Sequence, residues 1–387
     1  MWRRSFWIDQ AELQWEERPV LWLMGVRRTG KTVLCQSLPG VEYFDCELPR
    51  TRALMADPEG FLSGLKGKRV VFDEVHRLEN PAEVLKIAAD HYRDVKVIAT
   101  GSSTLGASAK FRDTLAGRKA ELWLTPMTLA DLEDFQSPDL KHRLLRGGLP
   151  PFFLAGDLPE RDYQEWIDAY WAKDIQEHFR LERRHSFQKF FELLMARSGG
   201  IFEATSYARP CEISRTTVSN YLNALEATFV VHVCRPFSTH RPTEIIAQPK
   251  TYAFDTGFVC YYRGWETLRN DDLGPLWEHF VLNELHARLQ TRDVRYWRDK
   301  QGHEVDFILA SRGTEPVVIE CKWSSGDLDI GNLKSFRTQY PRGENYVVSH
   351  DVARASERRL DGLAVRFVSL EGLVEALRTK MKRRGHR

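Results

Sequence analysis

The run Gly25-Val-Arg-Arg-Thr-Gly30-Lys31-Thr32 sets two glycines, a lysine and a hydroxyl at the spacing G-x-x-x-x-G-K-T. Glycines at that spacing let backbone N–H groups close around a polyphosphate. The lysine then reaches the β- and γ-phosphates, and the hydroxyl after it ligates Mg2+. The nucleotide-contacting set is Gly25, Arg28, Thr29, Gly30, Lys31, Thr32 and Val33, with Thr32 also on the metal. Downstream, Arg69-Val-Val-Phe-Asp73-Glu74 ends an apolar run in two carboxylates. At the carboxyl end of a parallel strand, Asp73 would hold Mg2+ and Glu74 would polarise the attacking water. A third run, Val95 to Ser103, ends in Thr-Gly-Ser-Ser. There Ser102 or Ser103 either touches the γ-phosphate or the attacking water, or caps a helix.

A second constellation lies near the other end of the chain. Glu304-Val-Asp306 and, after Asp306 and thirteen intervening residues, Glu320-Cys-Lys322 place acids and a lysine inside apolar strands. Alternation puts Glu304, Asp306 and Ile308 on one face, and Val318, Glu320 and Lys322 together on another. If those faces coincide, two carboxylates and a lysine converge. Burying such charges costs several kcal/mol unless they are paired or bind a metal.

The elements that must position these residues are legible nearby. Val20–Met24 reads as a strand entering the glycine loop and Thr32–Leu38 as the helix leaving it; further strands follow at Arg69–Glu74, Val95–Ser103 and Ala120–Leu124. Strands alternating with helices imply an α/β fold with a parallel, doubly wound sheet. Trp166, Tyr170, Trp171 and Ile175 recur at helical spacing and read as core. Phe187–Arg197 reads as an amphipathic helix. Ile213–Glu226 reads as the second helix of a helix-turn-helix with Ser214 as N-cap, and Phe229–Val233 and Lys250–Phe254 as wing strands. That helix carries Arg215 as its one base, offset by Glu226, and residues 151–245 sum to −2, which favours a structural or regulatory role over DNA reading. The C-terminal third reads as a helix over Pro275–Leu289 and strands over Val294–Trp297, Glu304–Leu309 and Pro316–Trp323.

With these motifs in place, the first half resembles the prokaryotic ATPases of the AAA+ and STAND type, whose phosphate loop often reads G-x-R-R-x-G-K-T and whose sensor segment reads T-G-S-S. The resemblance implies ATP and Mg2+ as ligands. It also implies Ser102 at the γ-phosphate, an arginine at Arg118 acting in cis or from a neighbouring subunit, and Pro150 of Gly147-Gly148-Leu-Pro150 packing near the adenine in a helical lid. His76 stands where relatives more often carry Gln. The acid–lysine set resembles the PD-(D/E)-x-K nuclease superfamily. That resemblance implies Asp306, Glu320 and a helix glutamate, Glu278, on Mg2+ or Mn2+, with Lys322 assisting the attacking water and DNA as substrate. It leaves open an inactive version in which Lys322 is simply salt-bridged between Glu320 and Asp306.

The expected organisation is a P-loop ATPase core over 1–135, a helical lid over 136–186, a winged helix over 187–250, a nuclease-like α/β domain over 251–377 and a basic tail over 378–387. The 387 residues, 42% hydrophobic and 28% charged, exclude a disordered chain. No apolar stretch approaches the roughly 18 residues that span a bilayer. The basic start Met1–Arg4 meets Asp9 and Glu12 before an apolar core develops, so a cytoplasmic location without membrane contact is expected. The six cysteines form no C-x-x-C and suit a reducing compartment. The net charge of +2 is the sum of −4 over residues 1–377 and six basic side chains in the last ten residues. That tail reads either as a phosphate-binding arm or as a solvated terminus. ATP and DNA are the expected ligands, and a protein partner or a second copy of the chain is the further expectation.

Overall fold

The computed structural model describes residues 3–101, 109–157, 160–179, 181, 183–239, 248–311 and 313–385. Two compact units divide the chain: Met1–Gln188 with Ser219–Val230, and Lys189–Val218 with Val231–Arg387. The stretch expected as one winged-helix domain over 187–250 is therefore divided between them.

The first unit is built on five parallel strands: β1 (Val20–Met24), β2 (Val41–Asp45), β3 (Arg69–Asp73), β4 (Lys96–Thr100) and β5 (Lys119–Trp123), ordered β2-β3-β4-β1-β5. The runs in β1, β3 and β4 are continuously apolar because helices cover both faces of a parallel sheet. Trp22, Phe72, Val97, Ala99, Phe111 and Leu115 share one core. Register pairs Leu23 with Thr100 and Asp45 with Asp73, so the carboxyl ends of the central strands open at one edge. In this class of sheet, that edge is where ligands bind. A helix over Ser5–Glu17 precedes β1 and buries Phe6, Trp7, Ile8, Ala11 and Trp15. The segment that follows the basic start is thus part of the core.

The expected aromatic helix is present over Glu160–Tyr170, and Trp166, Tyr170, Trp171 and Ile175 are all buried. It continues through a π-helical turn, Trp171–Ile175, to Phe179. Such turns interrupt the regular hydrogen-bond ladder and recur at functional sites.

The second unit holds a six-stranded mixed sheet: β9 (Arg295–Arg298), β10 (Glu304–Leu309), β11 (Val317–Lys322), β12 (Asn345–Ser349), β13 (Ser356–Leu360) and β14 (Leu363–Val368), ordered β13-β14-β12-β11-β10-β9. Beside it, β6 (Gly200–Ile201), β7 (Val231–Cys234) and β8 (Lys250–Ala253) form an antiparallel sheet in the order β6-β8-β7. The β7–β8 pair occupies the two segments expected as wing strands, and Ser214 caps the Arg215–Ala227 helix by accepting from Thr217 N–H at 3.1 Å.

Three local expectations are corrected. The helix expected from Pro275 starts at Asn270, where Asp272 closes a box with Arg269, so Pro275 lies inside the helix Asn270–Leu289. Strict alternation along β10 also fails. Its pairing with β9 shifts register between Val305 and Ile308, and both side chains enter one core with Val318, Leu333 and Phe336. A bulge of this kind re-aims a side chain by one position. The tail, expected as an arm or a loose terminus, instead largely continues the helix Leu370–Gly385, and Arg378 donates to the Arg288 carbonyl at 3.0 Å.

Candidate functional site

The glycine loop leaves β1 at Gly25, with φ of 153°, a value that excludes most side chains; a Cβ there would lie 2.5 Å from the Leu124 carbonyl oxygen. Gly30, at φ 91°, turns the loop into the helix Lys31–Ser37. Lys31 Nζ folds back on the loop, donating to the Gly25 and Val26 carbonyls at 2.8 and 3.1 Å. Burial pushes its pKa down. Around this loop lies a cavity of about 580 Å³, walled by Gly25, Arg27, Lys31, Glu74, Pro150 and Asp174. Arg28, Gly30, Thr32 and Val33 also line it, whereas Thr29 is buried beneath, bonded through its hydroxyl to the Val26 carbonyl at 2.9 Å.

Thr32 Oγ1 donates to Asp73 Oδ2 at 2.8 Å, and Tyr43 and Thr100 donate their hydroxyls to the same carboxylate, which is 3% exposed. A hydroxyl and a carboxylate placed together beside the loop are hard oxygen donors of the kind Mg2+ takes, so these residues fit that ion. Glu74, one residue on, has φ 56° and ψ 46°, a backbone state a non-glycine residue rarely adopts. Its N–H is held by Thr100 Oγ1 at 3.1 Å, and its carboxylate lies 3.1 Å from His76 Nδ1. Burial works to raise the Glu74 pKa, but the His76 hydrogen bond and the Lys31 and Arg27 charges outweigh it and hold the carboxyl below its usual range. Glu74 is therefore an anion at the cavity wall.

Two loop positions are tied to the aromatic helix. Arg27 Nε donates to Asp174 Oδ2 at 2.7 Å on the π-helical turn, and Trp166 Nε1 donates to the Arg27 carbonyl at 3.2 Å. Arg28 lies 3.9 Å from Glu165 and over the Phe152 ring at 5.7 Å. Pro150 begins the short helix Pro150–Phe153 and forms part of the cavity wall. Arg118 does not line the cavity; its guanidinium binds Asp90 at 2.8 Å. Ser102 and Ser103 lie outside the described residues.

One residue at this site was not anticipated. Arg4, 4% exposed, holds Asp131 through two nitrogens at 2.7 and 2.6 Å and donates to the Thr29 carbonyl at 2.9 Å. It lines the same cavity and braces the loop through the Thr29 carbonyl. Its partner is 127 positions away, and a single arginine near the start of a chain carries no signal of that.

In the second unit, Asp306 accepts from Cys321 N–H at 2.7 Å, and Lys322 Nζ sits 3.4 Å from Asp306 and 2.9 Å from Glu320. The expected convergence of two acids and a lysine is thus present. Burial raises the pKa of both carboxyls; the Glu278 charge adds to the shift at Asp306, and the Asp306 charge adds to that at Glu320. Neither oxygen of Glu320, which is 0% exposed, has a hydrogen bond of good geometry. Glu278, Asp306, Cys321, Lys322 and Trp323 line a cavity of about 660 Å³. Glu278, however, is engaged by Lys250 Nζ at 3.0 Å and by the Tyr252 hydroxyl. Among the described residues, no group of three or more His, Cys, Asp or Glu is arranged to hold a metal. Asp306 and Glu320 share the one ammonium of Lys322.

Three family models match in sequence: an AAA domain over residues 17–133, a domain of unknown function (DUF8612) over 137–269 and another (DUF4143) over 273–365. The uncharacterized proteins Rv2008c of Mycobacterium tuberculosis and Mb2031c of Mycobacterium bovis are each 30% identical over 320 residues, covering 79% of this chain and 71% of theirs. The chain belongs to their family. Its N-terminal unit carries an AAA-type P-loop ATPase domain, which is what the loop, the Thr32–Asp73 pair and the parallel sheet require. Among solved structures, the Walker-type ATPase PABY2304 of Pyrococcus abyssi is similar at 16% identity, covering 68% of this chain and 96% of that one, with a TM-score of 0.43. No described helix is long and apolar enough to cross a membrane.

Proposed function

We propose that the N-terminal unit binds ATP with Mg2+ and hydrolyses it, and that its nucleotide state governs a nuclease-like C-terminal domain acting on DNA. The observation that carries the first part is the cavity lined by Lys31, Thr32 and Glu74, with Asp73 bonded to Thr32 beside it. Lys31 neutralises the β- and γ-phosphates, Thr32 and Asp73 hold the ion, and Glu74, kept ionised by Lys31 and His76, orients and polarises the attacking water. Mg2+, when held by Thr32 and Asp73, would offset the negative charge of the phosphates. Lys31→Ala should abolish nucleotide binding, measured with a fluorescent ATP analogue.

Coupling is supported by the path of the chain, which passes between the two units at Gln188, Val218 and Val230, so that the Arg215–Ala227 helix contributes to both. The nuclease reading is supported by Asp306, Glu320 and Lys322 coming together on β10 and β11. Plasmid DNA incubated with Mg2+ or Mn2+ tests it: cleavage lost in Asp306→Ala and Lys322→Ala supports the reading, and cleavage surviving both points to contamination.

A second reading has its own observation. Lys322 is paired on both sides and Glu278 is already held by Lys250, an arrangement that suits a nucleotide-gated switch with an inactive nuclease-like domain that recruits a partner. Absence of cleavage under every nucleotide condition selects it.

A further inference from the structure

Strand β8 carries a charge where the cross-strand partners, Ile201 and Cys234, are apolar. All four of its residues, Lys250–Ala253, are buried, and the Lys250 side chain is 4% exposed. An ammonium this deep costs several kcal/mol unless it is fully paired. Here the pairing is double: Nζ lies 3.0 Å from Glu278 Oε1 and 2.7 Å from Glu304 Oε1. The Tyr252 hydroxyl donates to the same Glu278 oxygen, and Arg298 lies 3.6 Å from the other oxygen of Glu304. Both glutamates therefore have cationic partners from this chain.

The other half of the cluster is different. Asp306 and Glu320 share a single ammonium, that of Lys322, at 3.4 and 2.9 Å. Both contacts found at Asp306 fall on Oδ2, and neither Glu320 oxygen has a hydrogen bond of good geometry although the residue is fully buried. Four carboxylates set against Lys250, Lys322 and Arg298 leave the cluster one negative charge in excess when every group is ionised. That excess lies at Asp306 and Glu320, which share one ammonium; with Lys322 displaced, the two ionised carboxylates carry the charge that one divalent cation offsets.

We propose that Lys250 is a built-in counter-ion that withholds Glu278 and Glu304 from cation binding, so that one divalent cation is held by Asp306 and Glu320 and the helix glutamate positions Lys250 instead of ligating metal. This rests on the reading of Asp306 and Glu320 as a cation site. A metal at Glu278 would have to displace an ammonium already in hydrogen-bond contact and leave Lys250 buried against one carboxylate. At Asp306 and Glu320 it needs only to displace the more exposed Lys322 side chain.

The test is Mn2+ binding to the full-length, nucleotide-free chain, read as loss of the free-Mn2+ paramagnetic resonance signal. Asp306→Asn and Glu320→Gln should each weaken one Mn2+ site by about 10- to 100-fold, whereas Glu278→Gln should shift it by less than about threefold. Loss in Glu278→Gln equal to that in Asp306→Asn overturns the counter-ion role and leaves the cation site standing. Unchanged binding in both Asp306→Asn and Glu320→Gln overturns the cation site and the proposal with it. A thermal-unfolding cycle guards against variants that only misfold. Lys250→Met should lower Tm, and adding Glu278→Gln should recover part of the loss because it removes a carboxylate left unpaired. Strictly additive losses would contradict the pairing.

Discussion

Thr32 Oγ1 and Asp73 Oδ2, 41 residues apart in the chain, lie 2.8 Å from one another beside the phosphate loop. The contact joins the first turn after the loop to the end of β3, and the parallel register of β1, β4 and β3 brings it about. Asp73 is oriented by three hydroxyls, those of Thr32, Tyr43 and Thr100, all of them donors that an incoming cation can replace or share.

Thr32→Ala removes one oxygen donor and leaves the loop glycines intact. Affinity for ATP in excess Mg2+ should fall by about 10- to 100-fold, while affinity in EDTA should change little. Titration of a fluorescent ATP analogue under both conditions gives the comparison. An equal loss with and without Mg2+ would assign Thr32 to the phosphates alone.

The Arg27–Asp174 pair connects the loop to the π-helical turn across 2.7 Å. Asp174→Asn takes the charge from a nearly buried partner of a guanidinium that is about one-third exposed. The expected cost is about 1–3 kcal/mol, below that of breaking a fully buried pair because water partly screens Arg27. Denaturant unfolding of the nucleotide-free protein measures it, and saturating ATP should shrink the difference if Arg27 then turns to phosphate.

The His232 and His286 rings meet edge to face at 4.5 Å inside the second unit. Burial drives the His286 pKa down to about 3 from the ordinary 6.5. The unfolded chain therefore binds a proton that the folded chain refuses, across the window from about pH 6.5 to about pH 3. Stability is unaffected above pH 6.5 and falls with acidification through that window, by about 1.4 kcal/mol per pH unit for this group at full effect. Urea melts at pH 7.5 and 5 should show the loss, and His286→Gln should reduce it, the rest coming from His232 and His279, whose pKa values burial also lowers. Equal slopes for both proteins would contradict the assignment.

Much of the ATPase site was legible in the sequence because its determinants are local. Val20–Met24 and Val70–Phe72 are uninterrupted apolar runs that end in glycine or carboxylate, and such runs mark strands covered on both faces. The Asp306, Glu320 and Lys322 convergence was legible through alternation, although the register shift on β10 showed that alternation places Ile308 on the wrong face. What escaped was long-range pairing. Arg4 finds Asp131 127 residues away, and Lys250 finds Glu278 and Glu304 at separations of 28 and 54. Lys250 in particular falls in a segment whose pattern reads only as a wing strand. The π-helical turn at Trp171–Ile175 escaped for another reason, since its aromatic spacing is that of an ordinary helix.

The central claim is that Glu74 activates water for ATP hydrolysis in a site formed by Lys31, Thr32 and Asp73. It is tested most directly by following phosphate release and retained nucleotide together in Glu74→Gln. That variant should bind ATP with Mg2+ as the parent does, hold it through gel filtration, and release phosphate about 10²- to 10⁴-fold more slowly. Turnover at the parent rate would contradict the account.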